Sequence, residues 1–346
     1  MQSSKWFALL VAMSGVCVAF SPAGLAASHH HVTARHSPVP ARTENAKPNE
    51  DILKAEVLLD RAGFSPGVID ARDGDNFDNA LHVFQQTNGL TVGTLDQQTM
   101  ERLAQLSDTP VLAQYTIQPE DVNGPFAPKI PQDFTKMARL PSLAYHSPRQ
   151  LLAEKFHMSE GLLQSLNPKA NFSQAGTVIT VGNVAPMPED PKLAARKGEG
   201  SGSGTEQRMT VSRVVVDKPH HAVLVYGADN RLLAFYPASI GSAEKPAPSG
   251  RFVVRSVDYD PTYTYNPAYA FRGQHAQRKI TVMPGPNNPV GLVWIGLSAK
   301  GYGIHGTPDP DAVGKTQSHG CVRLTNWDAL SLGKLVRRGT PVDFVG

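Results

Sequence analysis

The sequence predicts a multi-domain chain in which a small three-helix domain and a second helix-bearing module precede a C-terminal domain built mainly from β-strands. Three observations predict it. Apolar residues recur at helical spacing between Ile52 and Leu106, and β-branched runs separated by turns dominate beyond Met209. Between and before them lie stretches rich in Pro, Gly and Ser, and the 30 glycines and 28 prolines favour turns and linkers over one helical bundle. A length of 346 residues suits two or three domains, and 40% hydrophobic residues suffice for packed cores. The net charge of +3, with no stripe of Lys and Arg interleaved with aromatics, argues against a nucleic-acid partner.

The N-terminus reads as a secretory signal peptide over residues 1–26. Lys5 precedes an apolar run from Trp6 to Phe20, which Ser21 and Pro22 break, and small residues follow through Ala27. A run of about fifteen residues is short for a span that needs about twenty, so cleavage after Ala26 is expected rather than a membrane anchor. Cys17 follows Val16 inside the run, which does not fit a lipidation site. Residues 27–48 lack an apolar period and read as a disordered tether; His29, His30, His31 and His36 fit a solvated tail better than a metal site.

Residues 49–106 form the three-helix domain. Ile52, Ala55, Leu59 and Ala62 share one helix face, with Gly63 at the C-terminal cap. Phe77, Ala80, Leu81 and Phe84 repeat the pattern up to Gly89, and Asp96 caps a third helix running to Leu106. Residues 107–140 are Pro-rich with little pattern and read as a linker. In 141–185, Leu151, Leu152 and Phe156 make one apolar face and Leu162, Leu163 and Leu166 another; Asn167-Pro168 ends the second helix before the strand Val178–Val181. Residues 186–208 are a second linker. Within 209–346, strands are expected at Val211–Val216, Ala222–Tyr226, Leu232–Tyr236, Phe252–Val257, Val290–Leu297 and Val342–Val345, with one helix capped by Asn326 and running through Val336.

Once Cys17 leaves with the signal, Cys321 is the mature chain's one cysteine, either inert and buried or retained for its chemistry. Its neighbours favour chemistry. A thiol needs a nearby base or cation to act as a nucleophile. His305 lies 16 positions upstream (321 − 305), close enough for a loop to bring it alongside; His319, at −2, shares a face with Cys321 on an extended segment. Gly320 permits close backbone approach, which suits an oxyanion hole that includes the Cys321 N–H. Arg323 can pair with a substrate carboxylate or lower the thiol pKa.

The string His305-Gly306-Thr307, then a loop with Gly314, then Ser318-His319-Gly320-Cys321-Val322-Arg323-Leu324, resembles the signature of the YkuD family of L,D-transpeptidases. Residues 245–252 and 285–307 resemble the family too. The resemblance implies a β-sandwich-like catalytic domain without a cofactor. It implies that Cys321 is acylated by a peptidoglycan tetrapeptide stem with loss of D-alanine, and that His305 is the general base, oriented by the Gly306 carbonyl. His319 would shape the site, Ser318 brace its loop and Arg323 hold the donor. The acceptor would be a diaminopimelate amine, giving a 3–3 cross-link, or an amine of an envelope lipoprotein. Carbapenems would acylate the same thiol. Residues 58–90 resemble the peptidoglycan-binding domain of wall enzymes, although Asp73-Gly74-Asp75-Asn76 stands where that family more often has Gly-x-x-Thr. Residues 142–184 resemble a LysM module, a βααβ unit associated with glycan strands.

Other readings compete. Water in place of the amine would make an L,D-carboxypeptidase, and a different bond would make a protein-releasing enzyme. A non-catalytic wall-binding scaffold has no need of the Cys/His/Gly/Arg set. Zinc on His305, His319 and Cys321 would require a fourth ligand, and none is suggested. His220, His221 and His275 read as surface residues. Tyr259, Tyr263, Tyr265 and Tyr269 read equally as a substrate-flanking lid or as a packed or merely exposed loop.

Overall fold

The computed structural model describes residues 47–188, 190–192, 211–242, 245–269, 277–318 and 320–346. The signal peptide, nearly all of the tether, most of the second linker, Cys17, His275 and His319 lie outside the described residues.

Three helices open the chain: α1 (Glu50–Arg61), α2 (Asp75–Thr87) and α3 (Gln97–Ala104). Asn49 caps α1 by accepting from the Asp51 and Ile52 N–H groups, and Asp96 caps α3 by accepting from Thr99 N at 2.7 Å. Gly63 and Gly89 follow α1 and α2 at φ of +84° and +68°, the left-handed geometry that ends a helix. The apolar faces meet around Leu59, Phe77, Leu81 and Phe84, with Phe64 edge-on to Phe84 at 5.3 Å. This core continues into the C-terminal domain through Ala222 and Phe235.

The stretch 107–140 is not a structureless linker. It contains β1 (Leu112–Thr116), α4 (Pro119–Asn123) and α5 (Phe134–Met137). β1 pairs antiparallel with β2 (Val178–Gly182), from Leu112↔Gly182 to Thr116↔Val178. It was hard to see because none of its residues is fully buried, so its apolar alternation is weak. Between the strands lie α6 (Pro148–Lys155) and α7 (Glu160–Leu166), capped by Ser147 and Ser159. Leu152, Phe156, Leu162 and Leu163 close on Ile179 and Val181. Asn167 staples the end of α7 to β2, exchanging bonds of 2.7 Å with Thr180 O and Thr180 N.

The C-terminal domain is a nine-stranded sheet in the order β5-β4-β3-β13-β7-β10-β11-β12-β6. The strands are β3 (Val211–Asp217), β4 (Ala222–Gly227), β5 (Leu232–Pro237), β6 (Ser239–Ile240), β7 (Gly250–Tyr259), β10 (Val293–Leu297), β11 (Gly303–His305), β12 (Val322–Arg323) and β13 (Pro341–Val345). β5 and β6 stand at opposite ends of that order, yet only Ala238 separates them in sequence. A single intervening residue spans a few ångströms, so the sheet curls until its two ends meet. The enclosed core joins Val214, Val223 and Val225 from one end with Ile295, Ile304 and Val322 from the other, under α8 (Asn326–Leu335). This is the sandwich-like architecture expected.

One local expectation changes, and for one open alternative the structure makes the choice. Thr325, not Asn326, caps α8: it is extended at ψ 162° and its hydroxyl accepts from Asp328 N, while Asn326 turns inward and is wholly buried. The Tyr-rich stretch folds into a hairpin of β8 (Tyr263–Tyr265) and β9 (Ile280–Val282). Tyr265 is 1% exposed and packs with Phe134, Met137, Leu143 and Val282, so this part of the stretch is a packed element braced by α5.

Candidate active site

The site forms where β11 and β12 run side by side. Their parallel register sets Ile304 opposite Val322 and His305 opposite Arg323, and Leu324 N donates to His305 O at 2.8 Å. Cys321 therefore enters β12 immediately beside the strand that ends in His305. The topology thus brings His305, Cys321 and Arg323 together despite the 16-residue separation in sequence (321 − 305).

His305 is 6% exposed. Its Nδ1 lies 2.6 Å from the carbonyl oxygen of its neighbour Gly306, a partner that can only accept, so Nδ1 carries the hydrogen and Nε2 is left as the basic nitrogen. Trp294, paired with His305 across β10 and β11, stacks on the imidazole at 5.6 Å and 21°. A side chain at Gly303 would strike the Trp294 ring, with a Cβ only 2.6 Å from Cζ2. Trp294 had not been singled out in the sequence; the signal was its place on a strand register that ends at His305.

The loop before Cys321 is tied down by Ser318. Its hydroxyl accepts from Gly241 N at 2.7 Å and donates to Cys321 O, and its own N–H donates to Gly241 O at 2.9 Å. Gly320 sits at φ +100°, where a Cβ would come within 3.1 Å of the Tyr302 ring, so both conformation and space call for glycine. The Cys321 thiol is half-buried and points to Gly301 O at 3.9 Å.

The electrostatics define the resting state. Burial, and after it the Arg323 guanidinium, lower His305 to about 4, against the opposing pull of the Gly306 carbonyl. Burial raises the Cys321 thiol above its ordinary value, although the Gly303 backbone and Arg323 pull it down. Arg323 does act on the thiol in the expected sense, but burial outweighs it. At neutral pH the pair is thus a neutral imidazole and a neutral thiol rather than a preformed ion pair.

A cavity of about 460 Å³ opens beside Arg323. Its walls include Thr307 from the C-terminal domain and Ile130, Met137 and His146 from the chain before it. Among the described residues no group of three His, Cys, Asp or Glu is placed to hold a metal.

Residues 212–344 match the YkuD family, described as the L,D-transpeptidase catalytic domain, and residues 48–103 match a putative peptidoglycan-binding domain. The stretch 104–211 lies outside both matches. The chain is 32% identical to the putative L,D-transpeptidase YkuD of Bacillus licheniformis over 130 residues, covering 38% of this chain and 63% of that protein. It is 30% identical to the Bacillus subtilis protein of the same name over 131 residues, covering 36% and 65%. With the putative L,D-transpeptidase YqjB of Bacillus subtilis it shares 33% identity over 135 residues, covering 37% and 68%. The chain therefore spans slightly under two thirds of the first two relatives and slightly over two thirds of the third. With its curled sheet, its paired β11 and β12 strands and these matches, the chain belongs to the YkuD family of L,D-transpeptidases and carries a peptidoglycan-binding domain at its N-terminal side.

Proposed function

We propose that this chain is an exported cysteine L,D-transpeptidase of the periplasm or cell envelope that forms 3–3 cross-links in peptidoglycan. The observation that carries the reading is the bond from His305 Nδ1 to the Gly306 carbonyl, which leaves Nε2 as the proton acceptor on the strand beside Cys321. Because thiol and imidazole both rest neutral, the proton passes from Sγ to Nε2 as sulfur attacks the carbonyl of the L-centre–D-centre bond. The Cys321 N–H, presented by Gly320 at its positive φ, faces the developing oxyanion. Collapse expels D-alanine, whose amine takes the proton back from His305, and leaves a thioester. A diaminopimelate amine of a second stem attacks that thioester; His305 accepts the amine proton and returns it to the departing thiol. His319 shapes the site, Ser318 holds the nucleophile loop, and Arg323 binds a carboxylate of the donor in the adjoining cavity. The N-terminal domain binds glycan strands or stem peptides and keeps the enzyme on the wall. An envelope lipoprotein amine is the alternative acceptor.

The test is incubation of the purified chain with disaccharide-tetrapeptides, read by mass spectrometry. A cross-linked dimer with loss of D-alanine is expected, and Cys321→Ala and His305→Ala abolish it. Tripeptide alone would replace transpeptidation by carboxypeptidation, and no product from a chain that also takes no carbapenem would sink the enzymatic reading.

A further inference from the structure

Glu154 lies on α6, outside both family matches, yet its carboxyl is 2% exposed and reaches the catalytic domain. Two amides face its two oxygens. Gln150 Nε2 donates to Oε1 at 3.0 Å, and Asn326 Nδ2 donates to Oε2 at 2.9 Å. Neither amide is free to turn round. Gln150 Oε1 already accepts from His146 N at 2.8 Å and Asn287 Nδ2 at 3.2 Å, and Asn326 Oδ1 accepts from Leu292 N at 3.1 Å. Position 154 must therefore accept at both terminal atoms. Burial pushes this carboxyl up to about 8, so it is mostly protonated at neutral pH, yet both of its oxygens can still accept, which a carboxamide's NH2 cannot do.

Asn326 carries the constraint inward. Its Oδ1 occupies the space that a Cβ on Gly306 or on Gly291 would need, so the backbone at both glycines lies flush against this one carboxamide. Gly306 is the residue whose carbonyl orients His305. We infer that Glu154 is a positioning residue for the catalytic base: it locks Asn326, Asn326 sets the backbone at Gly306, and Gly306 sets the His305 ring. This rests on the transpeptidase reading above. It makes the segment between the wall-binding and catalytic domains part of the active-site scaffold rather than a spacer.

The experiment measures Cys321 acylation by a carbapenem in the full chain, with rate against drug concentration followed by stopped flow and final stoichiometry by mass spectrometry. Displacing a catalytic group by about an ångström costs up to roughly a hundredfold in rate. Glu154→Gln is expected to lower the maximal acylation rate about tenfold and Glu154→Leu about a hundredfold. The half-saturating concentration stays unchanged and the end point remains one drug per chain. The isosteric Glu154→Gln guards against a failure of Glu154→Leu to fold. Ser65→Ala is the control: it removes a different bond between the modules and the catalytic domain, from Ser65 Oγ to Asp328 Oδ2 at 3.0 Å, and should lower Tm without slowing acylation. Wild-type rates in both Glu154 variants, or equal slowing in Ser65→Ala, would overturn the inference while leaving the transpeptidase reading intact. A wild-type chain that takes no drug at Cys321 would overturn that reading, and this inference with it.

Discussion

The acid limb of the reaction is the sharpest consequence of the site's electrostatics. In the proposed mechanism His305 must be neutral to accept the thiol proton, and burial together with Arg323 lowers it from an ordinary 6.5 to about 4. A fall of about 2.5 units corresponds to roughly 3 kcal/mol of disfavoured imidazolium. At about pH 5, roughly 90% of a group titrating near 4 is neutral, against about 3% of one titrating near 6.5, a difference of about thirtyfold in competent enzyme. The saturating rate of carbapenem acylation should therefore hold down to about pH 5 and reach half its plateau near 4. Arg323→Met removes the second cause and leaves the first, so the half-point should move upward without reaching 6.5. Stopped-flow acylation across the pH range, with Tm followed in parallel to exclude unfolding, gives both profiles. A wild-type half-point at or above 6.5, or no upward movement in Arg323→Met, would refute the reasoning.

Three further outcomes follow from packing and charge. Gly306→Ala forces a methyl into the Asn326 carboxamide and should cost about 1–3 kcal/mol, read as a lower urea midpoint, together with slower acylation. Asp328 is pushed up to about 7, chiefly by burial and then by Asp60. Its contribution to stability is therefore complete below the ordinary carboxylate range and is lost as pH rises through about 7. Asp328→Asn should remove a decline worth at most about 4 kcal/mol from the pH dependence of stability, seen as a flatter plot of Tm against pH between about 4 and 7. Tyr265→Ala empties the wholly buried centre of the packing between the β8–β9 hairpin and α5 and should cost about 3–5 kcal/mol by urea unfolding. An unchanged midpoint would mean that the hairpin is not anchored there.

What could be read from the sequence was local. The strands of the C-terminal domain are β-rich runs bounded by turns, and the short string around Cys321 carries its glycines, serine and arginine in one place, so both were legible. His305 was legible as a partner for Cys321, whereas the Gly306 carbonyl that orients it was expected only from the resemblance to the YkuD signature. Relations across long separations were not. The strand Leu112–Thr116 lacks a buried face of its own and finds its partner only at Val178–Gly182. Glu154 is one apparently ordinary helical glutamate until the fold brings Asn326, 172 positions away, onto it. The cap of α8 was misread by one residue because Thr325 and Asn326 are both good capping types; the core, which needs the Asn326 carboxamide inside, makes the choice.

The meeting of Phe64 with β5 bears on how this protein can be cut. Phe235 N donates to Gly63 O at 2.9 Å and Ser65 N donates to Phe235 O at 3.0 Å, so the residues just after α1 extend the sheet at its open edge. The side chains of Ala222 and Phe235 beneath are buried against the helices of the N-terminal domain. A fragment beginning at Val211 would uncover both the unpaired edge and this apolar surface, the combination that invites edge-to-edge self-association. The N-terminal domain thus covers both the edge of β5 and the apolar surface beside it, so the two parts share one continuous packing unit rather than meeting only through a linker.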